Sequence, residues 1–144
     1  MLGKSLTGGF SPLSVACTSK EIADTIKDTW EYGHTWQPNM MGVAAALVAL
    51  TMIDTATVNQ VSERLCVIYD NLKRKKLIEK YLVAGLMSQL NFPRHTITPQ
   101  QLHQNGLTCN FQTSEFNRYV LCSPMIADNQ YFVELEIRLT NALQ

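Results

Sequence analysis

The sequence predicts an α/β fold in which helices and strands intermix along the chain, and three observations point to it. Apolar residues recur at three- and four-residue steps over residues 58–72 and again over 132–143, the period of amphipathic helices. Short apolar or β-branched runs at 13–18, 81–92, 107–112 and 118–122 read as strands. No repeat or low-complexity tract separates the two kinds of element. The 144 residues are 46% hydrophobic and 17% charged, enough apolar content for a globular core and too much for a disordered chain.

The elements follow in order. Residues 3–12 carry three glycines and a proline, a composition suited to a loop with positive φ angles or close backbone approach. Residues 13–18 form a strand candidate, and Thr18 or Ser19 can cap a helix running through Ile26, with Glu21 near its positive end. Residues 28–39 are aromatic and irregular (Trp30, Tyr32, Gly33, His34, Trp36, Pro38), the character of a loop that meets a ligand or partner. Residues 40–53 are apolar around the whole circumference, which predicts a helix buried on all sides. Such a helix needs more neighbours than a chain this short supplies. Val58, Val61, Leu65, Ile68 and Leu72 mark an amphipathic helix ending in the cations of residues 73–76. Residues 81–92 read as a strand interrupted by Gly85, and Thr98 with Pro99 opens a short helix that Gly106 stops. Two more strands follow, and Asp128 can cap a last helix with Phe132, Leu135, Leu139 and Leu143 on one stripe.

Composition excludes several function classes. Twelve Lys plus Arg balance twelve Asp plus Glu, so no net field recruits nucleic acid or an anionic membrane. The longest uncharged run, residues 40–53, falls short of the roughly 18 apolar residues of a membrane span, and residues 1–15 lack a signal-peptide pattern. The expectation is a cytoplasmic, soluble chain. Cys17, Cys66, Cys109 and Cys122 lie far apart without a Cys-x-x-Cys pair, which predicts four free thiols rather than a zinc site or a disulfide frame. His95 and His103 are eight apart with no carboxylate or cysteine at ligand spacing, so no metal is expected. The basic run at 73–76 reads as a solvated helix end.

Lys4 sits among glycines. A lysine amine attacks an aldehyde when its environment favours the neutral form, though a lone lysine in a loop is ordinarily a solvated charge. Its surroundings carry more weight. Leu2-Gly3-Lys4-Ser5-Leu6-Thr7-Gly8-Gly9, Pro12-Leu13-Ser14, Glu21-Ile22-Ala23-Asp24-Thr25-Ile26, Gly33-His34-Thr35-Trp36 and residues 39–50 together resemble the class III aminotransferases, pyridoxal-phosphate enzymes of fold type I. Order and spacing agree over about the first 53 residues. Further on, Gly85-Leu86-Met87 and Ser123-Pro124-Met125-Ile126 are similar to short motifs of the family's C-terminal small domain.

The resemblance implies residues 1–53 as the end of a cofactor-binding large domain and 54–144 as the C-terminal small domain. It implies pyridoxal 5'-phosphate as cofactor, Lys4 as the lysine that holds it and shuttles the proton, and Thr35 as a ligand of its phosphate, reaching in from the neighbouring subunit of a homodimer. It implies transfer of an amino group between an amine or amino acid donor and a carbonyl acceptor. Pro38 and Met40 replace the family's usual glycine and proline around Asn39. Two positions where branches of the family carry a carboxylate-binding arginine hold Asn110 and Val120, with Arg118 two residues from the second on the same strand face. The family's domain ahead of the lysine, with its pyridine-binding aspartate and phosphate-binding turn, has no counterpart here. The expectation is a truncated C-terminal portion, weak or inactive alone; the alternative is a noncatalytic remnant or interaction module that keeps the small-domain fold.

Overall fold

The structure is a computed structural model describing residues 1–28, 37, 39–93, 97–113 and 118–144, with side chains at 110–113 left undescribed. The irregular segment with His34, Thr35, Trp36 and Pro38 lies outside the described residues, as does His95. The chain forms two compact units, Met1–Asp54 and Thr55–Gln144.

The first unit contains a 3₁₀ turn, Lys4–Thr7, and helices α1 (Lys20–Ile26) and α2 (Met40–Thr51). Ser19 caps α1 by accepting the Ile22 N–H, and Glu21 sits in its first turn as the sequence predicts. Lys20 and Asp24 pair one turn apart on its exposed surface. Two expectations fail here. Residues 13–18 form no strand: the only ladder is a single antiparallel bridge between Leu2 and Val15, because a strand needs a partner and Leu2 alone supplies one among the described residues. Helix α2 is not buried all round. Only Gly42 and Ala46 are buried, while Met41, Leu47, Val48 and Met52 are each at least 60% exposed. Its packing partner in this unit is the Lys4–Thr7 turn, which covers one narrow side.

Among the described residues, the second unit pairs a four-stranded antiparallel sheet with three helices. Helix α3 (Thr55–Arg74) is followed by β1 (Lys80–Ala84), β2 (Met87–Asn91), α4 (Pro99–Gln104), β3 (Asn110–Thr113), β4 (Arg118–Cys122) and α5 (Asn129–Ala142). Strand order is β1-β2-β4-β3. Residues 81–92, read as one interrupted strand, are a hairpin: Ala84 pairs with Met87 across a two-residue loop, and Gly85 has φ 60° at its first position, where such a turn calls for glycine. The strand expected from residue 107 begins at Asn110, after the buried Leu107.

The alternation of strand side chains decides which face is buried. Ser88, Leu90, Tyr119 and Leu121, cross-strand partners in the β2–β4 register, form one face of the core. Val61, Leu65, Ile68 and Leu72 of α3 and Phe132, Leu135 and Leu139 of α5 pack into that core as the helical spacing predicts, with Tyr69 joining them, while Val58 and Leu143 at the ends of the two stripes are only half-buried. Thr98 opens α4 with a capping box, its hydroxyl accepting the Gln101 N–H while the Gln101 side chain accepts the Thr98 N–H. Asp128 caps α5 by accepting the Tyr131 N–H.

Candidate active site

Lys4 is fixed from both sides by backbone bonds. On one side Leu2 donates to the Val15 carbonyl at 2.7 Å and Val15 donates back to Leu2 at 2.8 Å. On the other, the Leu6 N–H closes onto the Gly3 carbonyl at 3.1 Å and Gly8 onto Ser5 at 2.8 Å. Between these points Lys4 has φ 54°, the left-handed region that a side chain rarely enters, at a cost of roughly 1–2 kcal/mol. The side chain is exposed and makes no hydrogen bond or ion pair with another described residue. Gly8 and Gly9, both at positive φ, open onto free space where a Cβ would meet nothing within 4 Å. The backbone bonds on both sides thus fix the root of an exposed amine, one of the conditions for a lysine that captures an aldehyde.

A polar network carries the turn to the head of α2. Thr7 is 3% exposed, and its hydroxyl donates to the Ser11 carbonyl at 2.6 Å and accepts the Ser11 N–H at 3.3 Å. Asn39 then binds Ser11 in turn: its Nδ2 donates to Ser11 Oγ at 2.8 Å and to the Pro12 carbonyl at 3.1 Å, while its Oδ1 accepts the Gly42 N–H at 3.1 Å. Gly42 makes the approach possible, since a Cβ there would stand 3.2 Å from Leu13 Cβ and 3.3 Å from the Asn39 side-chain amide. The sequence reading assigns no role to the side chains of Thr7, Ser11 and Asn39. An asparagine directly ahead of an apolar helical run is a capping signal that points to the last of them.

A pyridoxal cofactor needs an amine for its aldehyde and separate holds for its phosphate and ring. Lys4 fits the first need, being accessible, unpaired among the described residues and anchored. Thr35, the expected phosphate ligand, lies outside the described residues.

In the second unit, Asn110 and Val120 are register partners in the β3–β4 ladder, and Arg118 lies one pleat repeat along from Val120, opposite Asn91. Tyr69, in the core, donates to or accepts from Ser88 Oγ at 2.7 Å, and burial pushes its hydroxyl up to about 12. Burial likewise raises the Cys109 thiol above its ordinary value. Cys17, Cys66, Cys109 and Cys122 are all free of disulfide bonds. Among the described residues no three His, Cys, Asp or Glu side chains gather as metal ligands, and no single helix is long and apolar enough to cross a membrane.

No protein-family model matches the chain. Among curated proteins it is similar to the adenosylmethionine-8-amino-7-oxononanoate aminotransferase of Synechococcus elongatus, 39% identical over 57 residues that make up 36% of this chain and 13% of the relative. Among solved structures it superposes on a transaminase from the marine bacterium Virgibacillus with TM-score 0.83 at 18% identity, over 98% of this chain and 37% of that one. An aminotransferase from Vibrio fluvialis gives TM-score 0.82 at 21% identity, over 98% of this chain and 36% of its own. The ornithine aminotransferase of Toxoplasma gondii gives 0.78 at 22% identity, over 98% and 35%. The chain thus spans little more than a third of the length of these structures. Along nearly all its residues it has the mixed helix-and-sheet fold of one part of the transaminases, which bears out the resemblance read from its sequence.

Proposed function

We propose that this chain is the C-terminal portion of a pyridoxal-phosphate-dependent aminotransferase of class III. It moves an amino group between an amine or amino acid donor and a carbonyl acceptor, and it works as part of a homodimer. Lys4 would hold the cofactor and carry the proton, and Thr35 of the neighbouring subunit would bind the phosphate. The bound cofactor would supply the electron sink for the substrate carbanion. The observation that carries this reading is Lys4 itself, exposed and partner-free among the described residues, on left-handed backbone pinned between Leu2 and Thr7. Strain held by neighbouring bonds clusters at functional positions, and since Lys76, just beyond the end of α3, also has a positive φ of 60°, the glycine-rich motif around Lys4 supplies the rest of the argument. The transaminase fold along 98% of the chain supports the same reading.

On this reading the chain alone takes up cofactor weakly, because an amine by itself holds neither phosphate nor ring. Incubation with pyridoxal phosphate, borohydride reduction and peptide mapping test it. The expected result is sparse label spread over several lysines of the chain alone. Joining the chain behind the large domain of a transaminase should concentrate the label on Lys4, and Lys4→Ala should abolish it. Label that stays scattered in the joined protein overturns the assignment. A noncatalytic interaction module is the second reading, favoured by the exposed apolar face of α2. It gains if the joined protein shows no selective label while the chain still associates.

A further inference from the structure

We propose that Asn39 is a positioning residue for Lys4, acting through Ser11 and Thr7; the inference rests on the functional reading above in taking Lys4 as the reactive amine. Its side chain has two donor hydrogens and one carbonyl oxygen, and all three are used. One half serves the helix: Oδ1 caps α2 at Gly42 N–H. The other half serves the loop: Nδ2 ties Ser11 Oγ and the Pro12 carbonyl. Ser11 is in turn locked through its backbone N–H and C=O to the hydroxyl of buried Thr7, the last residue of the turn that Lys4 begins. The path from the head of α2 to Lys4 is therefore continuous, and each step is a hydrogen bond or one turn of chain.

The division of labour in Asn39 makes a clean experiment. Serine caps helices about as well as asparagine but offers no amide donor, so Asn39→Ser should keep α2 while releasing the loop. Ser11→Ala removes the same bond from the other partner. The first readout is hydrogen exchange in the full chain. Amides of residues 6–11 should lose protection by about tenfold in either variant, those at the start of α2 should not, and the double variant should add little to the singles. The second readout is the ratio of pyridoxyl label on Lys4 to that on Lys20 in the joined protein, which should fall about tenfold with an unchanged melting temperature. The unchanged melting temperature is what separates this fall from a general loss of structure, which would also scatter the label over exposed lysines such as Lys20.

Unchanged protection at 6–11 in both variants overturns the inference. So does an unchanged ratio once wild-type label is established on Lys4. If wild-type protein takes no label on Lys4, the functional reading falls instead, and the exchange data decide whether Asn39 positions the turn.

Discussion

Lys4 pays for its place with backbone strain, and that sets its stability against its use. Glycine enters the left-handed region freely, so Lys4→Gly should relieve roughly 1 kcal/mol of local strain, net of the extra unfolded-state entropy of glycine. Slower hydrogen exchange of residues 6–11 would register the gain, while label at this position vanishes. Equal or faster exchange would mean that the φ of 54° is not a burden. The sequence makes Lys4 visible through its glycine neighbours and the resemblance they carry. It does not show the strain, which arises from bonds to Val15 and within the turn that no local pattern announces. The same holds for Asn39. Its position before an apolar run is readable, but its reach back to Ser11 and Pro12, 28 and 27 residues earlier, is a tertiary fact.

Helices were legible as elements because period and caps act locally. Ser19, Thr98 and Asp128 each bond the N–H that the capping rule assigns them. Strands were less legible, because a run such as 13–18 has strand-like residues whether or not a partner is near. Element contacts also carry a pH dependence. Tyr69 of α3 meets Ser88 of β2 inside the core, and its hydroxyl titrates near 12 rather than the ordinary 10 because burial disfavours the phenolate. The folded chain thus keeps a proton that the unfolded chain gives up first. Its contribution is fully present below pH 10 and is lost as pH rises toward 12. Alkaline unfolding should therefore steepen over that window, and Tyr69→Phe should flatten it at a cost near neutral pH of about 1 kcal/mol for the lost hydrogen bond. Urea midpoints from pH 8 to 12 measure both effects, and an identical pH slope in the variant would exclude Tyr69 as the source.

At the scale of the whole molecule, the exposed apolar residues of α2 predict association. Met40, Met41, Leu47, Val48, Leu50, Met52 and Ile53 are all about half exposed or more, and soluble monomers usually keep contiguous apolar patches within a few hundred Å². A dimer or larger species is expected by light scattering, and Leu47→Glu with Val48→Glu should lower its mass. A strictly monomeric chain at every concentration would contradict this. The sequence anticipates that α2 wants neighbours, since its apolar residues go all the way round. It cannot say that the described residues cover only one side, because coverage depends on what the rest of the fold brings there.

The sheet order β1-β2-β4-β3 also sets a sequence of events in time. β1 and β2 are joined by two residues, so their hairpin can close in roughly 1–10 μs. β4 must then find β2 across residues 92–117, a far slower search because loop closure precedes any gain from pairing. The hairpin is thus the template on which the core face of Ser88 and Leu90 waits for Tyr119 and Leu121. Gly85, at φ 60° and with Val58 Cγ1 3.3 Å from where a Cβ would stand, is the pivot of that template. Gly85→Ala should therefore act mainly on the folding rate. In stopped-flow measurements the refolding arm should slow while the unfolding arm holds nearly still, whereas a change confined to unfolding would place the hairpin late rather than early.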